Sequence, residues 1–279
     1  MNFDQQHVII TGGSSGIGRA TARLLIQRGA HVSIIARRQE LLDETAAELQ
    51  ALRGQPEQRI RAHAADLSAW EQAREAIAAL TADGFPPDVL INSAGITHPG
   101  YFEHLDLDVF RRLMDVNFFG TLHSCRAVVP LMMERGRGQI VNLSSVAGFL
   151  GVFGYTAYCA TKFAVRGFSD VLRQELKPHG IHVSVVFPPD TDTPQLQYED
   201  PFKPLETRRI SGTAKTLTAD QVAQAIVRGI ERRQVYILPN LDTRLYFMLV
   251  NGFTGLARWI LDWTIAQARR ERELDAKGS

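Results

Sequence analysis

The chain has 279 residues, 45% of them hydrophobic and 22% charged, a globular composition long enough to bury a large core in one α/β domain. A net charge of +1 and the lack of any basic block argue against a nucleic-acid partner. Two cysteines, Cys125 and Cys159, form neither a CxxC pair nor a disulfide framework, which fits a reducing compartment.

The first apolar run starts only at Val8, so no signal peptide is expected, and no stretch reaches the roughly 20 apolar residues that span a bilayer. Val8–Thr11 is a short β-branched run followed by a glycine-rich turn. Arg19–Arg28 then reads as a helix that Gly29 stops. His31–Ala36 predicts a second strand and Glu40–Leu52 a second helix. A break at Gly54–Pro56 precedes a strand over Ile60–Ala65. Ser68 with Glu71 predicts a capping box on the next helix. Val89–Asn92, Gln139–Leu143 and Val183–Phe187 predict strands four to six. Long helical patterns lie between them at Asp108–Arg135, kinked at Pro130, and at Tyr155–Lys177. Apolar strands alternating with helices predict a doubly wound parallel sheet, which binds ligands at the carboxyl ends of its strands. Asp190–Lys215 is rich in Pro, Thr and charge and predicts a long loop acting as a lid or binding loop. Ala219–Arg232 returns to helix, and Val235–Leu238 fits a last strand. The expected division is a domain over 1–240, with a substrate loop at 190–216, and an apolar helical segment over 241–279.

Four features carry chemistry. Thr11-Gly12-Gly13-Ser14-Ser15-Gly16-Ile17-Gly18 follows a strand and opens a helix, so backbone N–H groups can approach a pyrophosphate at a helix N-terminus. Its glycines at 12, 16 and 18 depart from GxGxxG, and alone the motif also fits a plain tight turn. After the second strand, where an NAD-binding fold places an acid, stand Arg37 and Arg38. Two guanidiniums suit a 2′-phosphate and predict NADPH over NADH, unless both are simply solvated. Tyr158 and Lys162, at i and i+4, share a helix face, where the cation is expected to lower the phenol's pKa and ready it to donate a proton to a carbonyl oxygen. A plain surface pair fits the same spacing. Ser144-Ser145 ends strand five at the substrate edge of the sheet, where a hydroxyl either stabilises an oxygen gaining charge or caps a helix.

Taken in order, Thr11–Gly18, Asn92-Ser93-Ala94-Gly95, Asn117, Ser145, Tyr158 and Lys162 resemble the signature of the short-chain dehydrogenases/reductases, over about residues 7 to 194. The resemblance implies a single Rossmann-type domain, a ketoreductase and a catalytic tetrad of Asn117, Ser145, Tyr158 and Lys162. Ser145 is preferred to Ser144 because it lies thirteen residues before Tyr158, the family's usual gap. It further implies that Lys162 holds the nicotinamide ribose and Asn117 anchors a water in a proton relay. Asp66 and Leu67 fall where the family holds adenine, and Thr193 where it binds the carboxamide. Gly12, Ser14, Ser15, Gly16, Ile17, Gly18, Asn92, Ala94, Gly95, Tyr158, Pro188 and Thr191 complete the implied cofactor contacts. Ser93 stands where the family more often has asparagine. A homodimer or homotetramer packed through the two long helices is implied as well.

Most of that family carries Pro-Gly after strand six. Here Pro188-Pro189 stiffens the turn. Together with Lys203–Thr207, Ile210-Ser211 and Val152–Tyr158, this stretch resembles one branch, the 3-ketodihydrosphingosine reductases, which reduce 3-ketosphinganine to sphinganine with NADPH. A reductase of a 3-oxoacyl thioester or a steroid uses the same tetrad, and a non-catalytic NADPH-binding membrane scaffold is the alternative of another class. Asp190 or Asp192 either meets the 2-ammonium of a sphingoid ketone or is a solvated loop acid, and Tyr155 is the other expected substrate contact. Cys159, His98, His104, Phe118 and Phe119 read as packing or loop residues, with no metal-type spacing.

Leu245–Ala257 carries no charge over thirteen residues. As one helix, the tail lines up Arg244, Asn251, Gly255, Arg258, Asp262 and Arg269 in a narrow polar stripe, with Trp259 and Trp263 on the apolar side. Such a face over 241–270 lies in a membrane interface or packs on the domain or a second subunit, and Gly252 and Gly255 are points where it breaks into two helices. The expected location is cytoplasmic, peripheral on the cytosolic face of a membrane.

Overall fold

The computed structural model describes residues 3–211, 216–253, 255, 259–260 and 262–267. In chain order, β1 (His7–Thr11), α1 (Gly16–Gln27), β2 (His31–Ala36), α2 (Gln39–Leu52), β3 (Ile60–Ala64), α3 (Trp70–Leu80) and β4 (Val89–Asn92) form the first half. The second half runs α4 (Leu107–Met114), α5 (Gly120–Arg135), β5 (Gly138–Leu143), α6 (Thr156–Leu176), β6 (Ile181–Val186) and β7 (Thr191–Asp192). It continues through α7 (Pro194–Glu199), α8 (Leu205–Ser211), β8 (Leu217–Thr218), α9 (Ala219–Glu231), β9 (Tyr236–Ile237) and α10 (Leu241–Gly252).

Seven strands pair in the order β3-β2-β1-β4-β5-β6-β9, every pair parallel. The central strands are apolar and β-branched because both faces are covered: Val8, Ile9, Ile10, Val89, Leu90 and Ile91 are fully buried. Each such side chain contributes about 1.5–3 kcal/mol on burial. One core layer packs α1, α2 and α9 against one face, and the other packs α3, α5 and α6 against the opposite face. The strand order reverses between β1 and β4. Thr11 is in register with Asn92, Asn92 with Asn142, and Leu143 with Val186, so four strand-end turns converge on one edge of the sheet.

Local chemistry moves several boundaries. Ser68 does not cap α3: its amide and hydroxyl both donate to Asp66 Oδ1, at 3.0 and 2.7 Å, and Ala69 takes the cap position. The long helix expected over 108–135 is interrupted at Asp115–Phe119 by a π-turn rather than at Pro130, which lies inside α5 without ending it. The expected loop over 190–215 contains β7, α7 and α8, with β7 paired to β8. Thr193 caps α7 and Pro194 begins it, a favoured helix start that composition alone had hidden.

The C-terminal segment starts with α10, capped by Asn240 accepting from the Thr243 amide, and α10 ends at Gly252. Its inner face packs Tyr246, Phe247 and Val250 on Phe149, Phe187 and Tyr236. Its outer face leaves Leu241, Leu245 and Met248 exposed. The stripe residues Arg258 and Arg269 lie outside the described residues. Among the described residues, no helix is long and apolar enough to cross a membrane.

Candidate active site

At the sheet edge, Gly12 adopts φ +66° and its amide donates to Ile35 O at 2.7 Å, bending the chain after β1. A Cβ on Gly12 would lie 2.8 Å from the Ala94 amide nitrogen, and one on Gly18 only 2.2 Å from Gly12 O. These two positions therefore need glycine on steric grounds. Thr11 Oγ1 accepts from the amides of Ser93 and Ala94, both at 3.2 Å, and holds the β4 turn against the glycine turn. Ser15 opens α1 in extended conformation without using its side chain as a cap, so the first helical N–H groups keep no such partner. Ser15, Gly16 and Ile17 line a cavity of about 530 Å³, and Gly12, Ser93, Ala94 and Gly95 extend that wall. A backbone cradle at a helix N-terminus fits an anionic phosphate.

Across the cavity stand Ser145, Tyr158 and Lys162. Lys162 is buried on α6, and its ammonium donates to Leu143 O at 2.9 Å. Burial lowers its pKa to about 8. Its Nζ sits 5.5 Å from the Tyr158 ring centroid. The two serines separate clearly. Both line the cavity, but Ser144 is buried and donates to Lys162 O at 2.8 Å, whereas Ser145 is partly exposed and accepts from the Ala147 amide at 3.1 Å. Tyr158 keeps some exposure to the cavity, yet the surrounding protein desolvates its phenol and raises its pKa. The charge of Glu199 raises it further, and a hydrogen bond with Ser145 pulls the other way. The lowering expected from Lys162 is therefore not found: desolvation and a nearby carboxylate outweigh a cation that is tied to Leu143 O. A protonated phenol is the form that can donate a proton.

Asn117 sits in the π-turn, buried behind this group. Its amide donates to Ile96 O at 2.9 Å and Thr161 Oγ1 at 3.0 Å, while its Oδ1 accepts from the Ile96 amide at 2.8 Å. A Cβ on Gly95 would lie 3.3 Å from Asn117 Oδ1 and 3.5 Å from Lys162 Nζ, so the two side chains meet across a glycine.

Pro188, Asp190, Thr191 and Thr193 line the cavity beyond β6, as does Tyr155 at the start of α6. Asp192 does not: it is exposed on β7, one residue out of phase with Thr191. Asn92 points into the sheet, donating to Asn142 Oδ1 at 2.8 Å and Cys125 Sγ at 3.3 Å, so only the backbone turn after it reaches the cavity. Ser14 is buried beneath the turn. Arg37 and Arg38 are exposed just after β2, beside the strand end that receives the Gly12 amide. Asp66 holds the Ser68 turn, and Leu67 is buried with its carbonyl accepting from His123.

Glu199 is absent from the sequence-based site. It is the last residue of α7, buried, and its carboxylate accepts a hydrogen bond from the Tyr155 hydroxyl. Burial lifts its pKa to about 7 against the pull of the Tyr155 hydrogen bond and of Lys203. No motif announces it, because it reaches the cavity only through the fold of the 190–211 segment. Asp242, Thr243 and Tyr246 were missed as well, because they reach the cavity only through the packing of α10.

The arrangement matches known proteins. The family profile for short chain dehydrogenases covers residues 6–203. A 3-ketodihydrosphingosine reductase from Bos taurus is 41% identical over 80% of this chain and 67% of its own length. One from Dictyostelium discoideum is 39% identical over 89% and 79%. Among solved structures, a short-chain dehydrogenase from Sphingobium yanoikuyae in complex with NADPH is similar at 29% identity and a TM-score of 0.76, covering 92% of this chain and 95% of that one. With a parallel sheet, a glycine cradle and a Ser–Tyr–Lys group at its edge, this chain belongs to the short-chain dehydrogenase family.

Proposed function

We propose that this protein reduces 3-ketosphinganine to sphinganine with NADPH. The observation that carries the reading is the meeting of Ser145, Tyr158 and Lys162 in one cavity, with Val146, Leu150, Val152, Leu196, Ile210 and Tyr246 supplying apolar walls for a long chain. Relatives named for that reaction, from Bos taurus and Dictyostelium discoideum, support the substrate class. A nicotinamide cofactor, once bound at this edge, would supply the hydride for the ketone carbon. Tyr158 donates its phenolic proton to the carbonyl oxygen, and Ser145 holds that oxygen by a hydrogen bond as charge develops on it. Lys162 positions Tyr158 and the nicotinamide ribose. Asn117, fixed by Ile96 and Thr161, serves the return of a proton to this group. Gly12, Ser14, Ser15, Gly16, Ile17, Gly18, Ala94 and Gly95 form the cradle for the cofactor phosphates and nicotinamide side. Arg37 and Arg38 would hold the 2′-phosphate, Asp66 and Leu67 the adenine, and Pro188, Thr191 and Thr193 the carboxamide. Asn92 acts through the turn that it anchors.

Two long helices, α5 and α6, leave Met133, Phe163 and Val171 exposed, as does Phe119 in the π-turn before α5, which supports a homodimer or homotetramer through them. Leu241, Leu245, Met248, Phe253, Trp259 and Trp263 are exposed on the C-terminal segment, which supports peripheral contact with the cytosolic face of a membrane, the solvent in which such a ketone dissolves. Absorbance assays of NADPH oxidation with 3-ketosphinganine, a 3-oxoacyl thioester and a steroid ketone test the reading. Selective turnover of 3-ketosphinganine is expected. Turnover of the other ketones alone would leave the family and overturn the substrate.

A further inference from the structure

Among the described residues, the charged ones that line the cavity are Asp190, Glu199, Asp242 and Lys162, and Lys162 is committed to Leu143 O. Three carboxylates around one engaged ammonium make a wall suited to a cation. Glu199 is the most deeply set of the three acids. Its Oε2 accepts from Tyr155, and Gln195 also hydrogen-bonds its carboxylate. Its partial counter-charge, Lys203, is itself paired with Asp200 at 2.9 Å. A carboxylate offers about four acceptor sites, so those two donors leave capacity for another. Burying an acid without a full counter-ion is unfavourable, and a ligand cation would remove that penalty.

Position narrows the ligand. Tyr155, at the N-cap position of α6, and Tyr158 in its first turn have ring centroids 5.8 Å apart. Glu199 is therefore one side chain away from the phenol that meets the carbonyl oxygen. A cationic group on the carbon next to the carbonyl would reach it. Asp192, an acid that the sequence offered for such a contact, is turned out of the cavity.

We propose that Glu199 is the counter-ion for the 2-ammonium of the substrate, with Asp190 as the second acid, and that this contact selects an α-amino ketone over a plain long-chain ketone. The inference rests on the ketosphinganine reading of the same site. It also assigns Tyr155 a positioning role, aiming the carboxylate. The groups facing Glu199 are Tyr155, Tyr158, Asp190, Gln195 and Lys203. Burial holds Glu199 at a pKa of about 7. As pH rises through that value it becomes anionic, so selection for the ammonium form strengthens.

The test measures kcat/KM for 3-ketosphinganine and for its 2-deamino analogue, in wild type, Glu199→Gln and Tyr155→Phe, across pH 5.5 to 8.5. The wild type is expected to prefer the amino ketone, and Glu199→Gln to reduce that ratio about tenfold or more, mainly through KM, because a charged hydrogen bond is lost. The limb of the ratio near pH 7 should vanish in Glu199→Gln and persist in Tyr155→Phe. If Glu199→Gln lowers both substrates equally and Tyr155→Phe does the same, Glu199 is only a strap between α7 and α6, and the inference falls. An amino ketone that is turned over well with its preference intact in Glu199→Gln overturns the counter-ion and leaves the substrate standing. A wild type that ignores the amino ketone but reduces other ketones overturns both.

Discussion

The two walls of the cavity are built on different principles. The wall from β1, α1 and β4 is backbone: glycines that no side chain can replace, amides and a helix N-terminus. The wall beyond β6 is side chains from segments far apart in sequence: Tyr155 from α6, Asp190 from the strand end, Glu199 from α7 and Thr243 from α10. The first wall depends on local geometry and tolerates little change. The second is assembled by tertiary contacts, such as the Tyr198 hydroxyl on His98 at 2.9 Å and Thr207 donating to Phe153 O at 2.8 Å. Binding a shared cofactor requires fixed backbone, while choosing a substrate requires side chains that can vary.

The sharpest way to separate the walls is Tyr158→Phe, because the phenol belongs to the reaction and not to the cradle. Turnover should fall about 10²–10⁴-fold, the usual worth of a positioned proton donor. NADPH affinity, read by fluorescence titration, should change little, since the hydrogen bond named for the phenol is to Ser145. Full activity in Tyr158→Phe would mean that another group protonates the oxygen, whereas no turnover in wild type or variant would make the chain a binding scaffold.

The backbone wall was legible in the sequence and the side-chain wall mostly was not. Gly12 and Gly18 show in sequence because the close approaches at 2.8 and 2.2 Å exclude any other residue. The Tyr158–Lys162 spacing shows because a helix repeats every 3.6 residues. Strand positions and the parallel sheet follow from apolar runs broken by glycine turns. Glu199 did not show, because its meaning depends on where Thr193 and Pro194 start α7. Asp192 misled because strand alternation on β7 turns it outward, and two paired residues are too few to read a period. Asn92 looked like a cavity residue by its place in a motif, yet its side chain cross-links β4 to Asn142 on β5. The direction of the Tyr158 shift was also hidden, since desolvation depends on neighbours that no linear spacing reveals.

The next comparison lies within the cofactor wall. Arg37 and Arg38 stand exposed after β2, so they can change without disturbing the glycine turn. Replacing both with alanine should weaken NADPH about 10–100-fold, as expected for charged hydrogen bonds to a phosphate, and leave NADH nearly unchanged. The ratio of the two dissociation constants measures this directly. An equal loss for both cofactors would place these arginines in the folding of the β2 edge. No loss would make them solvated charges and return the 2′-phosphate to another residue.

The smallest expected effect concerns α10, whose two faces repeat the contrast on one helix. Phe247 on the inner face meets Phe149, Phe187 and Tyr236 at 5.1, 5.7 and 5.3 Å between ring centroids, whereas Leu245 and Met248 on the outer face are 51% and 58% exposed. Burying a side chain of this size in lipid contributes about 1.5–3 kcal/mol, and incomplete insertion lowers that figure. Leu245→Ser with Met248→Ser should therefore reduce liposome association about tenfold or more in a flotation assay, with the thermal midpoint nearly unchanged because neither residue belongs to the core. Equal flotation of wild type and variant would take the outer face away from the bilayer. Loss of a larger species in sedimentation would then assign it to a second copy of the chain, and the substrate would enter from solution rather than from lipid.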